Sequence, residues 1–208
     1  MFKRRLVALM LMSILTAFAQ HDPGKTKLSK TPLTAEQIYV YRAVLAEYVQ
    51  SDPTASLNIA NRTEPLGSGG FLDDNDDKCI AHFKGPRPTK LLTVHQLSGE
   101  VPLSPKMILV DPDRQSALVK QNDPQQLIHR VIDGHEAFSE KKLDESVTQA
   151  FATGLFTFSE IVFDKRHKYA LVQYSFWCGS LCGSGELLVL KNRSGKWFVN
   201  KRCGGWVS

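Results

Sequence analysis

The spacing of apolar positions changes several times along the chain, and each change predicts a different kind of element. Residues 6–15 are almost continuously apolar behind Lys3, Arg4 and Arg5, and Ala17-Phe18-Ala19 places small residues two positions apart. Basic, then apolar, then small is the order of a secretory signal peptide, here with cleavage after Ala19. The run is too short for a membrane span, which takes ~20 apolar residues. The residue immediately after the cleavage position is Gln20, not cysteine, which argues against a bilayer-anchoring lipid there. Residues 20–33 are polar and interrupted by Pro23, Gly24 and Pro32, the composition of a flexible leader. Residues 34–208 carry the periodic patterns of a single folded domain.

That domain begins with helical spacing. Thr34 and Gln37 stand in the positions of a capping box, and Ile38, Tyr41, Leu45 and Tyr48 follow on one face until Asp52-Pro53. Leu57 and Ile59 alternate with polar neighbours and predict a short strand. Residues 64–90 read as loop, and strands are expected at 91–97, 106–111 and 116–121. Asp123-Pro124 supplies an N-cap and a first-turn proline for a helix with Leu127, Ile128, Val131 and Ile132, ending at Gly134. A further helix is predicted from Ser139 to about Thr153, with Leu143, Val147, Ala150 and Phe151 on one side and Gly154 as its stop.

The last third switches to period two. Ser159–Phe163, Tyr169–Cys178, Glu186–Lys191 and Trp197–Arg202 are β-rich runs joined by short turns, which forces antiparallel neighbours. Ala170, Val172, Tyr174 and Phe176 form the more apolar face and are expected against the helices. The fold class is therefore α+β, helices packed on a C-terminal four-stranded antiparallel meander. At fold level that arrangement is similar to cystatin-like and nuclear-transport-factor-like folds, a likeness that carries no function.

Charge alters the picture only by what it excludes. The 208 residues hold 26 basic and 21 acidic side chains, a formal +5. Without Lys3, Arg4 and Arg5 the balance is 23 against 21, and the signs are interspersed. Nucleic-acid binding needs a concentrated basic stripe, and Lys165-Arg166-His167-Lys168 reads instead as a solvated turn. The 189 residues after Ala19 are enough to bury a real core, so disulfides would be supplementary.

Cys79, Cys178, Cys182 and Cys203 form an even set in an oxidising compartment, where two disulfides are the expectation. Four cysteines allow three connectivities, which spacing does not decide. Cys178–Cys182 with Cys79–Cys203 is preferred, because Gly179 lets the short loop close and the longer bridge ties mid-chain to the last strand. A four-cysteine zinc site would show two close pairs, and here there is one.

Three segments carry a resemblance: Phe158 to Val172, the element Cys178-Gly-Ser-Leu-Cys-Gly-Ser-Gly, and the ending Lys196-Trp-Phe-Val with Trp206-Val-Ser. With the opening Leu33-Thr-Ala-Glu-Gln-Ile-Tyr, they resemble a set of uncharacterised secreted bacterial proteins with the same ending. The resemblance implies a secreted protein and brings no established function with it.

Candidate chemistry is sparse. Gly179, Ser180, Gly183 and Ser184 lie in a stretch of small residues that can turn backbone N–H groups into an anion-binding nest, or simply make a tight hairpin. His129, Asp133, His135 and Glu136 are close in sequence, and His135 with Asp133 or Glu136 is the candidate for acid–base work in an extracellular hydrolase. Asp73–Asp77 suggests calcium, but an EF-hand loop would need glycine and glutamate where Lys78 and Lys84 stand. Trp177, Trp197 and Trp206, with Phe176 and Phe198, are either sheet packing or a ligand platform. The reading preferred is a secreted or periplasmic, non-enzymatic domain that binds a protein, an envelope component or a small ligand. It predicts no cofactor, no metal, no nucleic-acid partner and no transmembrane helix in the processed chain. An exposed apolar patch would favour it, a pocket containing the His135 group would favour the enzyme, and neither feature would suit a purely structural envelope protein.

Overall fold

The computed structural model describes residues 26–50, 52, 54–67, 83 and 93–208. Among the described residues the architecture is α+β, with four helices on the two faces of a mixed sheet. Helix α1 (Ala35–Tyr48) starts with the expected capping box, Gln37 N–H donating to Thr34 Oγ1 at 3.2 Å and Thr34 N–H to Gln37 Oε1 at 2.9 Å. Its fully buried side, Val40, Tyr41, Val44 and Leu45, lies against the sheet.

The strands are β1 (Lys27–Leu28), β2 (Leu57–Ala60), β3 (Thr93–Val94), β4 (Met107–Val110), β5 (Leu155–Phe158), β6 (Val162–Phe163), β7 (Tyr169–Gly179), β8 (Cys182–Arg193) and β9 (Lys196–Val207). The main sheet runs β4-β2-β5-β7-β8-β9, with β6 continuing the line of β5 along β7. Strands β6 to β9 pair antiparallel in succession, which is the expected meander. It is one half of a larger sheet, because β2 pairs parallel with both β4 and β5. Strands β1 and β3 form a separate parallel pair, so Lys27 and Leu28 of the expected leader are built into the fold. Among the described residues no helix is long and apolar enough to cross a membrane.

Both faces of the sheet are covered. Ala170, Val172, Tyr174 and Phe176 do face α1, together with Phe156, Phe158, Leu188 and Leu190. The opposite face is also dry: Leu171, Leu187, Val189 and Cys203 pack with Leu66 and Val162, and Ala60 and Leu155 pack with Val119. Val119 belongs to α2 (Pro112–Gln121), where a strand was expected over 116–121. The reason is local. Asp111 caps this helix by accepting from Arg114 N–H at 2.8 Å, and Pro112 opens its first turn. The same aspartate–proline signal, repeated at Asp123-Pro124, gives α3 (Pro124–Ile132) as predicted. Helix α4 (Glu140–Thr153) is capped by Ser139 as expected. Within the strand expected at 91–97, Thr93–Val94 pair with β1 and Gln96 bridges to Arg62, while residues 91–92, the acidic run Asp73–Asp77 and Cys79 lie outside the described residues.

Candidate functional site: an apolar groove beside a disulfide-closed hairpin

Strand β7 ends in Cys178-Gly179 and β8 begins at Cys182, so the hairpin tip is only Ser180-Leu181. The two cysteines are disulfide-bonded, with their Cα atoms 5.1 Å apart, inside the span such a bridge accepts. Gly179 sits at φ 140°, and a Cβ there would stand 2.8 Å from Asp123 Oδ1. Only glycine combines that backbone with that neighbour. Asp123 is the N-cap of α3, accepting from Gln125 N–H at 3.0 Å. It also reaches the hairpin tip, where Ser180 donates its N–H at 2.9 Å and its hydroxyl at 2.6 Å to Oδ2. The backbone N–H of Ser180, which the anion-nest alternative would use, is thus occupied by the protein's own carboxylate.

Gly183 and Gly185 have a different job. They lie within β8 beneath the Trp206 ring, where a Cβ would meet the indole at 2.7 and 2.5 Å respectively. Trp206 is therefore sheet packing, as are Trp197 and Phe176, both in the main core.

Burial alone would raise the Asp123 carboxyl. Hydrogen bonds from the Ser180 hydroxyl, the Gln125 amide and the Ser180 amide, with His129 nearby, outweigh it and hold the group below the usual carboxylate range. A folded-state value below the unfolded one gives stabilisation that is present above the unfolded value and lost as pH falls through the folded one. The clasp between α3 and the hairpin is accordingly expected to weaken under acid conditions. Ser180 amide exchange, compared between wild type and Asp123→Asn, should lose its difference as pH falls through the lowered value. A difference that stays constant across that range would contradict the assignment.

Helices α3 and α4 and the hairpin enclose a groove of about 460 Å³. Its walls are Ile128 of α3, Leu143, Val147 and Phe151 of α4, Phe176 of β7 and Leu181 at the tip, with the disulfide beside them. A cavity of about 100 Å³ adjoins it, sharing Ile128 and Leu143 and adding Ile132 and Phe138. Among the described residues no Asp, Glu, Lys, Arg or His side chain lines either space. Tyr48 at the inner wall is pushed up to about 12 by burial and stays neutral. The sequence places Leu143, Val147, Ala150 and Phe151 on one side of α4, and of these only Ala150 is buried. Phe151, Leu181, Phe138 and Ile132 are 55–73% exposed. Single exposed apolar residues are unremarkable, but here they form a contiguous track around a concavity.

The His135 group does not assemble. Glu136 is held by Arg130 Nε at 3.0 Å and Lys142 Nζ at 2.7 Å, and these partners keep its carboxyl below the usual range. Asp133 is the exposed C-cap of α3, and His135 is exposed on the following turn. No hydrogen bond joins His135 to Asp133 or Glu136, and no cluster of three metal-ligating side chains exists, among the described residues.

A second polar centre is built from residues that are far apart in the sequence. Glu160, between β5 and β6, has a carboxylate only 5% exposed. It accepts from His95 Nδ1 at 2.9 Å, from His95 N–H at 2.7 Å and from the Thr63 hydroxyl. Behind it, the Tyr41 hydroxyl donates to the Ser159 carbonyl at 3.0 Å, and burial together with the Glu160 charge raises that phenol well above its ordinary value. No hydroxyl or thiol is hydrogen-bonded to His95 Nε2 among the described residues, so the group ties three segments without forming a nucleophile–base pair. A cleft of about 430 Å³ opens near it at the carboxyl ends of β2 and β4, and there Arg62 and Asp113 pair at 2.7 Å. Thr63, His95 and Glu160 are 32 and 65 residues apart in turn, so no local pattern could have signalled them.

No family model, no curated protein and no solved structure matches the chain.

Proposed function

We propose that this chain is a secreted or periplasmic binding domain, not an enzyme, and that the groove between α3, α4 and the β7–β8 hairpin seats the alkyl part of a small ligand or envelope component. The observation that carries this reading is the groove itself: concave, apolar, open, and of the size that small-molecule sites have. The occupant is read as an alkyl chain because it brings no polar groups. An extended peptide would bring backbone N–H and C=O groups that such walls leave unsatisfied at a cost. The location rests on the signal-peptide pattern of residues 1–19 and agrees with the Cys178–Cys182 disulfide.

Three finer readings accompany it as proposals. Cys203, buried at 2% exposure, is one half of the second bridge, with Cys79. The resemblance to secreted bacterial proteins with the same ending stands on the segments quoted above. The cystatin-like or nuclear-transport-factor-like likeness is confined to α1 against β7–β9, since the parallel pairs at β2 fall outside it. A purely structural envelope role is the reading the groove counts against.

The test is titration of the processed chain with a pyrene-labelled long-chain fatty acid. Val147→Asp puts a charge on a groove wall that is already 38% exposed, so folding should tolerate it while affinity falls by about tenfold or more. Absence of saturable binding by the wild type, or equal affinity in the variant, would sink the proposal.

A further inference from the structure

The geometry points to the Cys178–Cys182 disulfide as a releasable fastening of the groove, which a dithiol opens to let the occupant go; this rests on the groove being a binding site. The fastening is a chain of three links. Helix α3 buries only Pro124 and Leu127, and among the helices and strands its principal packing partner is α4. What fixes its first turn to the sheet is Asp123, through the two Ser180 hydrogen bonds. Ser180 and Gly179 in turn lie inside the five-residue ring that the disulfide closes, and Gly179 holds a backbone angle of φ 140° there. Without the covalent closure, a glycine and a two-residue tip regain backbone freedom. The donors aimed at Asp123 then lose their fixed position. Both cysteines also line the groove, so the bond lies beside the space the ligand would fill.

The chemistry balances with a dithiol as the only co-reactant. Cys178 is fully buried and Cys182 partly exposed, so one thiolate of the dithiol attacks Cys182 Sγ and the Cys178 thiolate leaves and takes up a proton. The dithiol's second thiolate then attacks the mixed disulfide at its own first sulfur. Cys182 leaves as a thiolate and is protonated, and the dithiol becomes a cyclic disulfide. Two electrons pass from the dithiol to the protein.

Hydrogen exchange of the Gln125–Ile132 amides and the affinity for the pyrene-labelled fatty acid, both on the processed full chain, test this. Cys178→Ala/Cys182→Ala and Asp123→Asn are each expected to speed exchange in the first turn of α3 and to weaken fatty-acid binding by about tenfold. If Asp123→Asn loosens α3 while the double cysteine variant matches wild type in exchange and affinity, the disulfide is not the fastening. Should the double variant fail to fold, the wild type is reduced with dithiothreitol in native buffer, and unchanged α3 exchange after reduction would overturn the proposal. A wild type that binds no fatty acid refutes the groove reading separately, since the exchange comparison needs no ligand.

Discussion

Glu160→Ala is expected to destabilise the folded chain by about 3 kcal/mol, the range for removing one partner of a buried ion pair or hydrogen-bonded carboxylate. The carboxylate is the shared acceptor for the His95 ring, the His95 amide and the Thr63 hydroxyl. Deleting it strands donors from two segments in a place where water has little access. Those segments are the extension of β2 and the turn after β3, which are also joined by Thr63 N–H to His95 O at 2.9 Å and Leu97 N–H to Asn61 O at 2.8 Å. Glu160 N–H bonds to the Glu64 carbonyl at 2.7 Å, so the β5–β6 corner belongs to the same knot. Urea denaturation should show a lower midpoint at an unchanged slope. Glu160→Gln should fall between wild type and alanine, because the amide keeps an acceptor but loses the charge. A loss below about 1 kcal/mol in the alanine variant would mean that the donors find other partners, and the knot would have to be read as incidental.

The second large effect is expected at Phe156. Its ring is fully buried and meets Tyr48, Phe158 and Tyr174 at centroid distances of 4.8, 5.0 and 5.4 Å. It sits on β5 where parallel and antiparallel pairing join, opposite Ile59 on one side and Phe176 on the other. Alanine there removes the centre of an aromatic cluster that close-packed strands cannot collapse to fill, at a cost of about 4 kcal/mol. Phe151→Ala is the informative contrast. That ring stacks on Phe176 at 6.1 Å but is 55% exposed, and its loss should cost under about 1 kcal/mol. The two phenylalanines are five residues apart in sequence and should differ severalfold in their effect on unfolding. Equal losses would mean that Phe151 is a core residue after all, and that the groove is less open than its exposure indicates.

What could be read in the sequence was what local chemistry decides. The capping box at Thr34, the aspartate–proline start of α3, the Ser139 cap and the alternating faces of β7 are each complete within a few residues, and each is found in place. The same aspartate–proline signal stands at Asp111-Pro112 and starts α2, which runs through the segment 116–121 expected as a strand. The parallel pairing of β2 was not legible, because its partners lie about 50 and 100 residues downstream and nothing in a four-residue strand names them. The groove was half legible. The apolar stripe of α4 is plain in the sequence, but whether a stripe meets core or open space depends on where the sheet ends. Gly183 and Gly185 belong to a stretch that suggests a turn or nest, and the distant Trp206, with the Phe176 and Tyr174 carbonyls of β7, explains them.

The last residues of the chain form part of the groove wall. Ser208 N–H donates to the Gly183 carbonyl at 3.0 Å, and Val207 and Ser208 both border the apolar space. A purification tag or fluorescent protein fused after Ser208 would therefore emerge beside the very surface under test and could block it or supply a false occupant. Fusions belong between Ala19 and Thr26, and a carboxyl-terminal tag that abolishes fatty-acid uptake would itself be a result.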